Sequence, residues 1–343
     1  MKFVCFSDWS QLPESANVLF DKGIKENMFF SRPWFENLVD TALKTEQSML
    51  LACVTEGDTM LAILPLIKQS DGHWESLSHS YSTHYTILLQ DSENSQALAC
   101  LASGLNLLPF KTLRLKPYDE NDIKVHGLQQ AMENLGISCH QGFRFYNWSY
   151  LLQGQSFEQY MAKRPGSVRN TIARKERKLE REQGYEIRLF TDQQIPQAIA
   201  DYNVVYKASW KAAEVSNDIM VSLIERFAKM GWLRLAVLYI QGQPAAAQVW
   251  FVVHSKASIF RLAYDESWKQ YSPGSILTKF LMLYVIDTDK VDKIDFLTGN
   301  EHYKQDWMSQ RNARWEMVCA NTCKPRKKSE QFIKSLKGLL KIN

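Results

Sequence analysis

The chain has 343 residues, of which 45% are hydrophobic and 23% are charged. This length and balance predict two globular domains and exclude a disordered or fibrous chain. The net charge of +4 is too small to indicate nucleic-acid binding by itself. The N-terminus does not resemble a signal peptide, and no stretch reaches the roughly 18 apolar residues of a membrane span. We therefore expect a cytoplasmic protein.

The cysteines give no sign of a metal site or of a disulfide framework. They are scattered along the chain at Cys5, Cys53, Cys100, Cys139, Cys319 and Cys323. The last two are four residues apart, but no CxxC motif or nearby histidine completes a zinc set. We expect ordinary thiols and no bound metal.

Strand and helix patterns alternate through the first half of the chain. Two apolar runs, 49–55 and 60–67, flank the turn 56–58 and predict a β-hairpin. The patterns that follow predict a helix at 95–107, a strand at 112–115, a helix at 127–135 and a strand at 143–152. This alternation indicates an α/β domain over residues 1–155.

A basic helix is predicted after the break at 164–166. Ser167 can cap it, and Gly184 can end it. Four basic residues spaced for one helical face are Arg174, Arg177, Lys178 and Arg181. Such a face is usually solvated, and the interleaved glutamates agree with that; contact of Arg174 with a phosphate is the alternative.

The second half predicts a second α/β domain, residues 156–323. Its predicted strands are 186–190, 233–240, 245–253, 258–264, 293–297 and 314–320. Its predicted helices are 195–212, 220–230, a long one from 273, and 303–308. The strand–helix–strand passage from 258 to 297 predicts a βαβ crossover. Both halves contain a strand, a tight turn and a strand, which agrees with two copies of one fold.

The C-terminal tail, residues 324–343, is strongly basic. Its apolar residues Phe332, Leu336, Leu339 and Leu340 are spaced for one helical face. Three interpretations stay open: a helix packed on the domain, a membrane-surface contact and an RNA contact.

The strongest local motif is the helix start after residue 271. Ser272 fits the N-cap, and Pro273 fits the first turn. The amides of Gly274, Ser275 and Ile276 would then point outward at the positive end of the helix, an arrangement that binds phosphate. Plain helix capping is the alternative.

Two carboxylates and one amide near this motif are candidates for chemistry. Asp265 ends the strand before the loop and can act as a general base, with Glu266 beside it. Gln248 lies within an apolar strand, so its amide either ties the sheet together or orients a substrate.

Further candidates follow other predicted elements. Glu301 and Tyr303 come after the last parallel strand, at the sheet edge where ligands bind in open α/β sheets. Tyr303 can protonate a leaving thiolate. Trp210 and Lys211 end a helix and can line an acceptor site, although Trp210 can equally be core.

The chain resembles a known family over nearly its whole length. The segments carrying the resemblance include RPGSVRNTIARKERKLE, GWLRLAVLYIQGQPAAAQVWF, FRLAYDE, SPGSILTKFL and DFLTGNEHYKQDWMSQR. They are similar to the GNAT-related acetyltransferases of the CelD/BioF2-like group, relatives of the Fem-type peptidyltransferases. The resemblance implies two tandem GNAT-like domains with mixed central sheets flanked by helices.

The resemblance also implies a chemistry. The second domain would take acetyl-CoA or another acyl-CoA, its third and fifth strands would part around the pantetheine arm, and Tyr264 would lie at the donor site. The acceptor would be a small molecule or glycan precursor of an envelope, polysaccharide or secondary-metabolite pathway. The motif retains one glycine, Gly274, where GNAT proteins usually have two. Aminoacyl-tRNA as the donor and a non-catalytic scaffold therefore remain alternatives.

Overall fold

The structure is a computed structural model, and it describes residues 1–211 and 217–321. The basic tail and Cys323 lie outside the described residues, so the expectations for them stay predictions. The chain forms two compact units. One contains Met1–Gly23, Leu43–Arg144 and the described residues from Trp315. The other contains Ile24–Ala42 and Phe145–Arg314.

The strands and helices that the sequence predicts are present in the same order. The strands are β1 (Lys2–Phe6), β2 (Gln47–Glu56), β3 (Thr59–Gln69), β4 (His73–Ser76), β5 (Leu88–Leu89), β6 (Thr112–Asp119), β7 (Ser138–Leu151), β8 (Glu186–Phe190), β9 (Leu233–Ile240), β10 (Gln243–Val253), β11 (Lys256–Tyr264), β12 (Lys293–Thr298) and β13 (Gln310–Ala320). The helices are α1 (Ala16–Glu26), α2 (Arg32–Ala42), α3 (Ser95–Asn106), α4 (Ile123–Glu133), α5 (Phe157–Ala162), α6 (Gly166–Glu182), α7 (Ile195–Lys207), α8 (Asn217–Lys229), α9 (Pro273–Leu283) and α10 (Tyr303–Trp307). Within the described residues, the structure adds six further strands and helices to the predicted ones: β1, α1, α2, β4, β5 and α5.

In the first unit, β1 to β4 and β6 form a mixed sheet. Strands β1, β2, β3 and β4 pair antiparallel in that order, and β4 pairs parallel with β6. The predicted hairpin is therefore confirmed as β2 and β3. Its apolar runs are longer than one-sided alternation would give, because nearly every residue of β3 is buried.

In the second unit, the sheet order is β8, β9, β10, β11, β12 and the later part of β7. Neighbouring strands are antiparallel except β11 and β12, which are parallel and connected through α9. The predicted βαβ crossover is thus confirmed. An apolar core that includes Trp250, Ile259, Leu277 and Phe296 fills the space on the α9 side of this sheet.

Each of the two units is made of separate segments of the chain, and not of one continuous stretch on either side of residue 155. Segment Ile24–Ala42 belongs to the second unit because its side chains pack there: the Trp34 ring lies 5.9 Å from that of Phe260. Arg226 of α8 also binds Glu36 and Asp40 of α2, at 3.1 and 2.7 Å. Such packing depends on residues far apart in the sequence, which local patterns do not reveal.

The start of α6 differs from its prediction. The helix begins at Gly166, with Pro165 at the N-cap and no capping side chain, so Ser167 does not cap it. Its predicted end is confirmed, because Gly184 has a φ of +67°, in the left-handed region that glycine adopts easily.

Residues 1–211 and 217–321 show neither a membrane-spanning helix nor a cluster of metal ligands. None of the helices there has the length and apolar character needed to cross a membrane. Within the same ranges, no cluster of three or more His, Cys, Asp or Glu side chains is arranged to hold a metal ion.

Candidate functional site

Strands β11 and β12 part soon after they begin. They pair at three positions only, the last joining Ser258 to Asp295, although both strands continue beyond it. Two residues further, Phe260 forms a β-bulge, since Ile259 and Arg261 pair with consecutive residues of β10. From this point the facing peptide groups of β11 and β12 no longer bond to each other. The result is an opening within the sheet, and bulges of this kind are frequent beside active sites.

A local turn accompanies the parting of β12 from its parallel neighbour. Asp295 accepts hydrogen bonds from the backbone amide of Leu297, at 2.8 Å, and from Nδ2 of Asn147, at 2.7 Å. Leu297 has a φ of +54°, which a leucine adopts only when its surroundings impose it. The buried Asp295 carboxylate thus holds the bend at the end of β12.

The entry into α9 differs in detail from the predicted cap. Ser272 occupies the N-cap position in the left-handed conformation, and its side chain makes no capping bond. Its carbonyl oxygen accepts from the amides of Ser275, at 3.0 Å, and Ile276, at 3.3 Å. Of the three amides predicted to face a phosphate, two therefore have an acceptor within the turn. Gly274 precedes the first of these bonds.

Gln248 ties strand β10 to the first turn of α9. Its Nε2 donates to the Gly274 carbonyl at 2.9 Å and to Thr278 Oγ1 at 2.8 Å, and its Oε1 accepts from Trp250 Nε1 at 2.9 Å. The side chain is completely buried. Of the two predicted roles, these contacts favour tying the sheet together, and they fix the Gly274 turn in place.

Four of the predicted site residues lie together at this turn. A Cβ atom at Gly274 would lie 3.2 Å from Cδ1 of Tyr264, so the ring packs directly on the glycine. The Trp210 ring lies 4.6 Å from the Tyr264 ring, and Lys211 Nζ lies 5.7 Å from the Trp210 ring. Trp210 is 49% exposed, so it is a surface aromatic and not a core residue.

Asp265 follows β11 directly and already has one structural role. Its amide donates to the Ala245 carbonyl at 2.9 Å, which extends the strand pairing by one residue. Its Oδ1 accepts from the Ser267 amide at 2.9 Å and caps the 3-10 helix Glu266–Tyr271. Oδ1 thus accepts the capping bond, and Oδ2 is the oxygen that the predicted general base would use.

Lys304 is a buried cation at the end of β12. It is only 4% exposed, and its Nζ donates to the carbonyls of Phe296 and Thr298 and contacts Glu301 Oε2 at 3.3 Å. These acceptors match the three protons of an ammonium group. Burial lowers the pKa of Lys304, and the carboxylates of Glu301 and Asp295 oppose that shift. Lys304 therefore fixes the loop that carries Glu301.

Tyr303 directly precedes Lys304 and is the first residue of α10. Its ring centre is 6.4 Å from that of Phe296, a residue of β12. Although 41% of the residue is exposed, partial desolvation raises the pKa of its phenol, and the Glu301 carboxylate adds to that shift. The phenol therefore stays protonated at neutral pH, as a proton donor must.

Arg174 lies apart from these groups. It is exposed on α6, whereas Ile172 and Leu179 form the buried side of that helix. No ion pair or hydrogen bond of its side chain is found within the described ranges. Helix α6 nevertheless contacts the entry of α9, because Lys175 Nζ donates to the Gln270 carbonyl at 2.5 Å and Glu176 binds Lys279 at 2.6 Å.

Sequence reasoning missed a buried arginine behind α10. Arg164 is 8% exposed and lies between the rings of Tyr150 and Tyr160, at 4.6 and 4.8 Å. Its NH1 and the Tyr160 hydroxyl both donate to the Trp307 carbonyl, at 2.9 and 2.7 Å. Two buried donors thus hold the last residue of α10. The alternating aromatic residues along β7 are the sequence feature that could have indicated a stacked arginine.

Comparison with known proteins identifies the class of fold. Residues 166–305 match the family model described as an acetyltransferase (GNAT) domain. This match spans the open strands, the entry of α9 and Tyr303, but less than half of the chain. Residues 166–305 are therefore similar to a GNAT-type acetyltransferase domain, whereas the narrower CelD/BioF2-like grouping rests on the sequence resemblance.

Three solved structures show the same fold over most of the chain. FemX is 8% identical with a TM-score of 0.61, covering 92% of this chain and 97% of its own. The C-terminal domain of a putative lysylphosphatidylglycerol synthetase from Agrobacterium fabrum is 10% identical with a TM-score of 0.55, covering 95% and 96%. A tandem GNAT protein from the clavulanic acid biosynthesis pathway is 11% identical with a TM-score of 0.53, covering 93% and 98%.

These likenesses confirm the predicted fold class, mixed α/β of the GNAT type. At such low identities they show the fold alone. No curated protein sequence matches the chain.

Proposed function

We propose that the chain is an acyltransferase that moves an acyl group from acyl-CoA to an amine or hydroxyl. The opening between β11 and β12 carries this proposal. A thioester arm that contains peptide-like amides can pair with the unbonded peptide groups there, as a strand would. The start of α9 at Gly274 would receive the donor's phosphates, helped by the positive end of the helix dipole.

The remaining site residues would then carry out the two proton transfers and contact the acceptor. Asp265 would accept the proton of the attacking amine or hydroxyl. Tyr303 would donate its proton to the departing thiolate, and Lys304 and Arg164 would hold its helix in position. Trp210 and Lys211 would contact the acceptor from the Tyr264 side, and Glu301 from the β12 side.

The acceptor is proposed to be a small molecule or a glycan precursor of an envelope, polysaccharide or secondary-metabolite pathway, modified in the cytoplasm. Acetyl is the simplest acyl group, and N-acetylation the simplest reaction. The basic tail beyond the described residues is proposed to reach a membrane surface.

Calorimetry with acetyl-CoA, together with thiol release in the presence of a panel of amines, tests the proposal. Saturable binding and acceptor-dependent release of CoA are expected. Binding without release for any acceptor would favour the scaffold alternative. Absence of binding across acetyl, malonyl and long-chain acyl-CoA would contradict the proposal.

A second candidate function is transfer of an aminoacyl group from tRNA. The observation favouring it is the exposed basic side of α6, which includes Arg174, Arg177 and Arg181. Contacts with several phosphates would make the binding constant fall steeply with salt, with a log–log slope near the number of phosphates contacted. A shallow slope for tRNA, with tight binding of acetyl-CoA, would exclude this candidate.

A further inference from the structure

A row of aromatic side chains runs along one face of β7. Tyr146, Trp148 and Tyr150 alternate along the strand, so their side chains point the same way. Trp148 packs against the core that contains Phe296 and Trp307. The Tyr146 carbonyl accepts from the Gly299 amide at 3.0 Å. The row therefore adjoins the loop and the helix that carry Glu301 and Tyr303.

Two arginines stack on this row in different environments. Arg164, at the Tyr150 end, is buried and bonds to the Trp307 carbonyl, as described above. Arg311, at the other end, lies with its Cζ 4.3 Å from the Tyr146 ring centre and 5.8 Å from that of Trp148. Arg311 is exposed, and it has no ion pair or hydrogen bond in the part of the chain that the structure describes.

Another stacked arginine shows what is unusual about Arg311. Arg188 lies 4.6 Å from the Tyr239 ring centre, and Glu186 binds its Nε and NH2 at 2.8 and 2.9 Å. The edge of that guanidinium is therefore occupied by a carboxylate. Arg311 has the same kind of stacking contact, but its edge faces solvent with its donors available.

We infer that Arg311 binds an anionic group of the acceptor, a carboxylate or a phosphate. Stacking on an aromatic face holds the guanidinium plane in one orientation, and the fork of donors along its edge matches both anions. The anion itself is inferred from Arg311 and its surroundings. That it belongs to the acceptor rests on the proposed function, since the site adjoins the Tyr303 loop.

The first experiment measures anion binding without any reaction. Inorganic phosphate and citrate are titrated, at constant ionic strength, into full-length protein with labelled arginine side chains, and the Nε–H signals are followed by NMR. The Arg311 signal should shift saturably, and the Arg188 signal should not. Comparison of the two anions distinguishes phosphate from carboxylate. An Arg311 signal that moves no more than that of Arg188 would overturn the inference.

The second experiment connects the anion to the acceptor. Glucosamine 6-phosphate and glucosamine are compared as acceptors for acetyl-CoA, using wild type, Arg311→Gln and the matched control Arg188→Gln. Loss of a charge-assisted pair should raise KM for the phosphorylated sugar about tenfold or more. The KM for acetyl-CoA should stay unchanged in both variants, and thermal unfolding should stay unchanged in Arg311→Gln.

The outcomes separate the inference from the proposed function. An Arg311-dependent phosphate shift in NMR without acyl transfer would leave the anion site standing and contradict the acyltransferase proposal. If the protein transfers the acyl group and Arg311→Gln has the wild-type KM for both sugars, the assignment of the anion to the acceptor is contradicted.

Discussion

Asp265 joins a capping role and a proposed catalytic role, and Asp265→Asn separates them. Asparagine still accepts the Ser267 amide and is as good a cap as aspartate, so folding should be unaffected. Loss of the base should lower turnover by at least about 10². Rates with saturating acyl-CoA and acceptor provide the measurement.

Asp8 offers a matched control for that substitution. It caps another 3-10 helix, Trp9–Gln11, with its Oδ1 accepting from the Ser10 amide at 2.7 Å. Asp8→Asn should leave both stability and turnover unchanged. If Asp265→Asn keeps more than about a tenth of the wild-type rate, the assignment fails on the same scale, and Glu266 and Glu301 become the carboxylates to test.

Tyr303 is expected to act through its hydroxyl. Because burial raises the pKa of the phenol above its usual value, the proton is held through neutral and moderately alkaline pH. Tyr303→Phe should lower turnover by about 10², the lower range for general acid help. The deficit should shrink with acyl donors whose thiol is more acidic, since a better leaving group needs less protonation. An equal deficit for all thiols would contradict the role.

At the scale of single elements, the entry of α9 is a sensitive point. A Cβ at Gly274 lies 3.2 Å from the Tyr264 ring, so even Gly274→Ala must displace that ring by a few tenths of an ångström. Gly274→Val would displace it further, so its effect on donor binding could not be separated from a disturbed Tyr264. We therefore choose alanine and expect weaker acyl-CoA binding in calorimetry.

Gly166 provides the comparison, because it also begins a helix. A Cβ there would meet its nearest atom, of Arg169, at 3.9 Å, an ordinary contact. Gly166→Ala should leave donor binding unchanged. Equal affinities of the two alanine variants would exclude a close approach of the donor to Gly274.

The buried Lys304 ammonium should make the free energy of unfolding of the second unit depend on pH, and the sign of that dependence can be derived. The pKa of Lys304 is lowered in the folded protein, so between that value and the unfolded value near 10.4 the unfolded chain holds more protons. The contribution of Lys304 to the free energy of unfolding should therefore rise with pH through this window. Denaturant titrations from pH 7 to about 10 should show the rise in wild type and not in Lys304→Met.

Lys279→Met is the control for this measurement. Lys279 pairs with Glu176 at 2.6 Å and is a third exposed, so its replacement removes a lysine from the same unit without disturbing the buried Lys304. The same pH dependence in wild type and Lys304→Met would assign the titration to other groups.

Elements with strong periodicity were predictable, and those set by distant contacts were not. The β2–β3 hairpin, α6 and the β11–α9–β12 crossover follow from apolar spacing and glycine signals. The sequence around Ser272 favours a serine cap, yet the 3-10 helix before it ends with Ser272 in a left-handed conformation that turns its side chain away from capping. Local preference cannot anticipate what the preceding element imposes.

The candidate site divides in the same way. Trp210, Lys211, Tyr264 and Gly274 were predicted separately, and packing brings them together. Gln248 was predicted with two roles, and only its hydrogen bonds favour one. Arg164 and Arg311 were missed because stacking on β7 depends on which arginine reaches which ring, and no sequence spacing encodes that.

At the scale of the whole molecule, donor binding should be visible as stabilisation. The proposed donor residues belong to the second unit, so acyl-CoA should raise the temperature of the transition that unfolds residues 24–42 and 145–314. At a free concentration of 100 times Kd, the free energy of unfolding should increase by about 2.7 kcal/mol. Thermal scans over a range of acyl-CoA concentrations measure this. A transition that does not depend on concentration would contradict donor binding.

The parting of β11 and β12 also bears on how such a protein can diverge. A donor held by main-chain groups makes few demands on side-chain identity, because every residue except proline supplies the same amide and carbonyl. Substitutions along the opening can accumulate as long as the bulge at Phe260 and the bend at Leu297 persist. Under the proposed function, the sheet would thus keep its donor while its sequence changes, in keeping with the fold that this chain shares with FemX at 8% identity.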